Sequence, residues 1–260
     1  MGRMKRLFCA LLTLTGILTS HAALQTQTIE YQQGDATLEG VLVYDDAVKS
    51  KRPGVLVVHQ WKGLSAYEQK RAEMLAQLGY VAFCADIYGQ GIRPQSPAEA
   101  GAQAGKYKSD RTLLRARVNA GLAVLRKNEF VDASRIAAIG YCFGGTTVIE
   151  LARSGADITG VVSFHGGLDS PTPADGKHIK CKVLACHGAD DPFVPAKDLA
   201  AFESELRDGG VDWQLKQYGG AVHSFTDWNA DGSMKGAQYN ERADQRSWQD
   251  LKQFFGEIFK

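Results

Sequence analysis

Gly140-Tyr141-Cys142-Phe143-Gly144-Gly145 decides how the rest of the chain is read. Arg135-Ile136-Ala137-Ala138-Ile139 precedes it, a short apolar run of the kind that forms a buried strand. Thr146 to Ala152 follows, and its apolar spacing predicts a helix. A strand, a sharp turn and a helix, with glycine two residues either side of a nucleophile, make a nucleophile elbow. The apex is strained and crowded, so its neighbours must lack bulk, and Gly140 and Gly144 supply that. The apex residue here is Cys142, where serine is the usual occupant.

Outward from the elbow, strands and helices alternate. Thr26–Tyr31 and Thr37–Tyr44 read as an antiparallel hairpin. Val55–Val58, Tyr80–Ala85, Gly160–Phe164, Lys182–Cys186 and Val211–Tyr218 read as strands, several of them continuous apolar runs suited to a sheet buried on both faces. Helices are expected over Ala66–Leu78, Asp110–Asn128, Ala196–Arg207 and Gln238–Ile258. Pro94–Tyr107, rich in Gly and Ala, reads as a lid or short helical excursion, and Gly166–Lys177 as a loop. The pattern predicts an α/β fold: a mostly parallel open sheet, helices on both faces, and an antiparallel hairpin at the N-terminal end.

Arg3, Lys5 and Arg6 precede the apolar stretch Leu7–Leu18, and Ser20-His21-Ala22 offers small residues for cleavage. This reads as a secretory signal over 1–22, cut after Ala22 or Ala23, leaving one domain over 23–260. The expected location is secreted or periplasmic, with no stable membrane anchor after cleavage. Cys84, Cys142, Cys181 and Cys186 then remain; all fall in or beside strands, and Cys181 and Cys186 face opposite sides of one strand, so no structural disulfide is expected. A net charge of +1 gives no footprint for nucleic acid. No His-Glu-x-x-His or paired-cysteine spacing points to a metal. Nothing in the sequence speaks to oligomeric state.

An elbow nucleophile needs a base, and the base an orienting acid. In hydrolases built round such an elbow the chain order is nucleophile, acid, histidine. His223 alone lies downstream of every plausible acid, in a loop after the last strand. The acid belongs in His187-Gly188-Ala189-Asp190-Asp191-Pro192-Phe193-Val194-Pro195, where Asp190 and Asp191 compete and spacing does not choose. His59, His165 and His187 also end strands; packing or a backbone hydrogen bond is the expected role of each.

Together with Val58-His59-Gln60-Trp61-Lys62-Gly63, Ala85-Asp86-Ile87-Tyr88-Gly89 and His223-Ser224-Phe225, these motifs resemble the dienelactone hydrolase family of the α/β-hydrolase fold over nearly the whole mature chain. The resemblance implies hydrolysis of a small ester or lactone, without cofactor, through an acyl-enzyme on Cys142. His223 is the implied base, Asp191 (through Asp-x-Phe-Val-Pro) the acid, and the backbone N–H groups of Trp61 and Phe143 the oxyanion donors. It also implies a pocket near Gln60, Tyr88, Gln90, Arg93, Phe225 and Asp227. The family usually carries Glu where this chain has Gln60, and dienelactone-cleaving members use arginines where it has Gln90 and Asp227. Two expectations follow: a preference for neutral over carboxylate-bearing substrates, unless Arg93 substitutes, and a resting Cys142 shifted toward thiolate. Rival readings are a thioesterase or peptidase on the same fold, and a non-catalytic ligand-binding homologue.

Overall fold

A computed structural model describes residues 24–260, together with Met1; the proposed leader over 1–22 lies outside the described residues, apart from Met1. Eight strands form one sheet. They are β1 (Leu24–Gln33), β2 (Ala36–Asp45), β3 (Arg52–Val58), β4 (Val81–Ala85), β5 (Val131–Tyr141), β6 (Gly160–Phe164), β7 (Lys182–Gly188) and β8 (Trp213–Tyr218). Their spatial order is β1-β2-β4-β3-β5-β6-β7-β8. β1 and β2 form a hairpin across Gly34-Asp35, and β2 joins β4 antiparallel. From β4 to β8 every pairing is parallel. The sheet is therefore the mixed, mostly parallel one that the alternation predicts.

Continuous apolar strands arise because successive side chains serve two cores. On β3, Leu56 and Val58 join one cluster while Val55 and Val57 join the other. The first layer is built by α2 (Pro97–Ser109), α3 (Arg111–Lys127), α4 (Phe143–Arg153) and α5 (Ala196–Asp208), through residues such as Tyr107, Val118, Ile149 and Phe202. The second is built by α1 (Ala66–Gln77) and α6 (Glu241–Ile258), through Leu75, Leu251 and Phe255.

Most helix starts are capped by a side chain. Ser65 and Glu68 form a capping box on α1, while Ser96, Asp110 and Asn240 cap α2, α3 and α6. Asn240 explains why α6 begins three residues later than the apolar spacing implies. Most of the 94–107 stretch, expected as a lid or short helical excursion, lies in α2, which runs from Pro97 in its first turn to Ser109. The expected loop over 166–177 ends in a short 3-10 turn, Pro173–His178. The four cysteines of the described residues are free thiols.

Candidate active site

The C-terminal ends of β3, β5 and β6 meet at the start of α4, and the loops after β7 and β8 bring Asp191 and His223 to it. Cys142 sits between β5 and α4 with φ 55° and ψ −114°, and its side chain makes no cap on the helix it precedes. Only steric emptiness around it permits this turn. A Cβ at Gly140 would lie 2.0 Å from the Gly144 carbonyl oxygen, and one at Gly144 would lie 2.2 Å from that of Val58. The non-glycine residues with positive φ among those described are Cys142, His165 and Ser224. Cys142 and Ser224 line one cavity, and the His165 ring packs beside His223, so backbone strain concentrates around the elbow and the candidate base.

His223 joins two anionic partners through its two ring nitrogens. Nδ1 lies 2.8 Å from Asp191 Oδ2, and Nε2 lies 3.1 Å from Cys142 Sγ. The loop carrying it is pinned by His223 N–H to Gly236 O and Gln238 N–H to His223 O, each 3.0 Å. The second oxygen of Asp191 accepts from the Phe193 N–H at 2.8 Å. Asp190 points elsewhere, accepting from the Gly220 N–H at 3.0 Å on the surface. Its part is to shape the turn, and the geometry separates two adjacent carboxylates that spacing left equivalent.

Charge follows from this arrangement. Burial disfavours an imidazolium at His223, but the negative sulfur of Cys142 and the Asp191 carboxylate outweigh it and raise the His223 pKa to about 10. Burial likewise opposes a Cys142 thiolate, yet the His223 charge and hydrogen bonds from His223 and the Phe143 N–H lower the thiol's pKa. Both shifts run in the direction of a thiolate–imidazolium pair.

Two further histidines hold the backbone around this pair. His165 Nδ1 accepts from the Cys142 N–H at 3.1 Å, so its proton sits on Nε2, which donates to Thr226 Oγ1 at 2.7 Å. His59 Nε2 accepts from the Ile87 N–H at 3.1 Å, so its Nδ1–H donates to the Gln60 carbonyl at 2.6 Å. That carbonyl belongs to the peptide whose N–H is Trp61's, so its grip also fixes the direction of the Trp61 N–H. The Trp61 carbonyl accepts from the Tyr88 hydroxyl at 2.9 Å. Both histidines are buried and held neutral by burial, His59 with a pKa near 4 and His165 well below its usual value. His187 is buried too and bonds to nothing through Nδ1.

The cavity over Cys142 measures about 280 Å³. Trp61, Phe143, Phe193, Val194 and Met234 give it apolar walls, with Thr146 and Lys108 as polar additions. Against these walls the expected pocket residues divide. Gln60 and Asp227 line an adjoining cavity of about 510 Å³, which shares Trp61, Ser224 and Met234 with the first. There the Gln60 amide donates to Asp227 Oδ2 at 3.0 Å, so it turns away from Cys142. Gln90 is out on the surface, donating to Glu30 and Glu39. Arg93 bonds the Gly89 and Ile92 carbonyls and faces Asp86 at 3.7 Å, so it does not substitute for a missing arginine. Tyr88 and Phe225 are buried behind the cavity rather than lining it. The sequence reading missed Lys108, Thr146, Phe193 and Met234. The first comes from the helix it left unresolved, and Phe193 was quoted only as part of the acid's motif. Among the described residues, no group of three His, Cys, Asp or Glu side chains is placed to hold a metal ion.

This fold and this elbow define an α/β-hydrolase. A model of the dienelactone hydrolase family matches residues 38–259, and the chain belongs to that family. It is similar to the solved protein m3DLH, at 40% identity and TM-score 0.89, over 92% of this chain and 100% of that one. It is similar also to the dienelactone hydrolase-like promiscuous phosphotriesterase P91 from metagenomic libraries, at 38% identity and TM-score 0.87, over 91% and 99% of the two chains. A probable 2-oxo-3-(5-oxofuran-2-ylidene)propanoate lactonase of Bradyrhizobium is 30% identical over 68% of this chain and 75% of its own.

Proposed function

We propose that this hydrolase cleaves a small ester or lactone through an acyl-enzyme on Cys142, with His223 and Asp191 completing the triad. The observation carrying this reading is the placement of His223 between Cys142 Sγ and Asp191 Oδ2. The thiolate attacks the acyl carbon, and the carbonyl oxygen takes the displaced electron pair. Backbone N–H groups of Phe143 and Trp61 receive that oxyanion; one such donor is worth about 3–4 kcal/mol in the transition state. As the tetrahedral centre collapses, the His223 Nε2 proton goes to the leaving alkoxide and a thioester remains. Water then attacks the thioester while His223 takes its proton. Collapse releases the acid and restores the thiolate, with the proton left on His223. Asp191 holds the imidazole with Nε2 toward the reaction throughout.

The reading draws support from the lactonase among the relatives and from a cavity sized for a small acyl group. The similarity to P91 favours a second activity, attack of the same sulfur on a phosphotriester. The basic and apolar leader over Arg3–Leu18 supports export as the place of action. Intact mass after exposure to a panel of esters, lactones and phosphotriesters tests the chemistry. An acyl adduct that disappears in Cys142→Ala is expected; turnover that survives in Cys142→Ala overturns the reading.

A further inference from the structure

The two backbone donors assigned to the oxyanion stand on separate segments, and one buried side chain touches both segments. Trp61 lies in the turn between β3 and α1, and Phe143 opens α4. Among the described residues the Trp61 N–H donates to no protein acceptor, and the Trp61 carbonyl accepts only from the Tyr88 hydroxyl, at 2.9 Å. The Tyr88 ring packs against that of Phe143, with centres 5.3 Å apart. Tyr88 is 2% exposed and lines neither cavity, so it meets no substrate.

Tyr88 is itself held from several sides. Its N–H and that of Gly89 donate to the buried Asp86 carboxylate at 3.1 and 3.2 Å. Its carbonyl accepts from the Tyr107 hydroxyl at 3.0 Å, and the Tyr107 ring stacks on its own at 5.4 Å. The His59 ring meets it edge to face at 4.7 Å. Tyr107 belongs to α2, the helix that also brings Ala104 and Lys108 to the Cys142 cavity. Burial, reinforced by the charge on the Cys142 sulfur, pushes the Tyr88 phenol far above its usual range, so it stays a donor. A ring locked by packing and hydrogen bonds in this way is a rigid spacer.

We infer that Tyr88 is a positioning residue for the oxyanion site: its hydroxyl anchors the Trp61 segment, its ring backs Phe143, and the two contacts set the spacing of the two N–H donors, with Tyr107 of α2 holding Tyr88 in place. The carbonyl that Tyr88 grips is one Cα removed from the Trp61 N–H. His59 fixes the direction of that N–H, and Tyr88 fixes its distance from the second donor. Spacing matters because each donor must stand about 2.7–3.1 Å from the oxygen once it is charged. The assignment deepens the acyl-transfer reading above and rests on it for its biological meaning, though not for its test.

The test separates reactions of Cys142 that form an oxyanion from one that does not. Tyr88→Phe removes the hydroxyl and keeps the ring. On para-nitrophenyl acetate it should lower kcat about tenfold, a part of the roughly 10²–10³-fold that outright loss of an oxyanion donor costs, with KM within about twofold. Acylation and deacylation both pass through an oxyanion, so the loss appears whichever step limits. A short-chain trifluoromethyl ketone supplies a readout without turnover. The sulfur adds to its carbonyl carbon, the oxygen takes the displaced electron pair, and nothing leaves. Its Kd, read by fluorine NMR, should rise by the same factor of about ten. Alkylation by iodoacetamide displaces iodide at a methylene carbon and forms no oxyanion, so its rate at Cys142 should stay within about twofold. Tyr107→Phe, one contact further out, should show the same split at about threefold, and it decides the matter if Tyr88→Phe does not fold. An unchanged kcat or an unchanged Kd in Tyr88→Phe overturns the assignment. So does an alkylation rate that falls as far as kcat, because the elbow itself has then moved. If wild type turns over no ester while the ketone still adds, the hydrolase reading fails and the ketone affinity still decides the role of Tyr88.

Discussion

Two imidazoles in this site stand 5.2 Å apart, ring centre to ring centre, and carry opposite charge preferences. His223, on the loop after β8, faces a sulfur and a carboxylate, and its pKa rises to about 10. His165, at the end of β6, faces a backbone N–H and a threonine hydroxyl, and burial with the neighbouring His223 charge drives its pKa far down. Burial acts on both in the same sense. Partners alone separate them: anions hold the proton on His223, and neutral dipoles offer His165 nothing to offset desolvation. On the function proposed above, one histidine works as a proton carrier while the other serves as a fixed strut under the elbow.

The largest expected effects come from breaking the charged side of this contrast. Cys142→Ala and His223→Ala should each lower kcat by about 10⁴-fold with the fold intact by circular dichroism. Asp191→Asn should cost about 10³-fold by loss of the imidazole's orientation. Asp190→Asn, which disturbs only the bond to Gly220, should cost less than about threefold. A larger loss for Asp190→Asn than for Asp191→Asn would reverse the assignment of the acid.

The neutral side is tested through stability. Thr226→Val leaves the His165 Nε2–H without its acceptor inside the protein, at a cost of about 1–3 kcal/mol in urea unfolding. Acidification tests both struts at once. His59 and His165 have folded pKa values below the unfolded value near 6.5, so the unfolded chain binds more protons as pH falls. Stability they contribute is present above about pH 6.5 and is lost as pH falls toward 4, at up to about 1.4 kcal/mol per pH unit for each. Thermal melts over that range in wild type and His165→Gln should show a shallower slope in the variant.

Much of the charged side was legible in the sequence. Gly140 and Gly144 mark a turn that no larger residue fits, and chain order alone singles out His223. The choice between Asp190 and Asp191 depended on which carboxylate turns inward, and adjacent positions in a loop encode that only through the family motif. The pocket was less legible. Gln90 and Arg93 sit where motif position suggests a cavity, but their side chains find partners on the outside. Lys108 was hidden because the buried face of α2 is Ala100, Ala104 and Tyr107, too small a stripe, diluted by Gly101 and Gly105, to announce a helix. Gln60 illustrates the same limit. Its lack of charge could be read, but not its bond to Asp227.

Gln60→Glu gives the smallest expected effect. A carboxylate there is repelled by Asp227, and turning toward Cys142 it would raise the thiol's pKa. Slower alkylation of Cys142 near pH 6 reads this out, and an unmoved profile shows that position 60 does not govern the sulfur.

The pH profile of Cys142 alkylation by iodoacetamide, read by peptide mass, bears most directly on the thiolate–imidazolium pair. The other thiols serve as internal references: burial pushes Cys181 and Cys186 to about 12 and holds Cys84 well above its usual value. Among the four thiols of the described residues, Cys142 should react alone, and below the free-thiol pKa of about 8.5. His223→Ala should move its rise upward. A wild-type profile that climbs only above about pH 8 and coincides with that of His223→Ala would contradict the ion pair at the centre of this account.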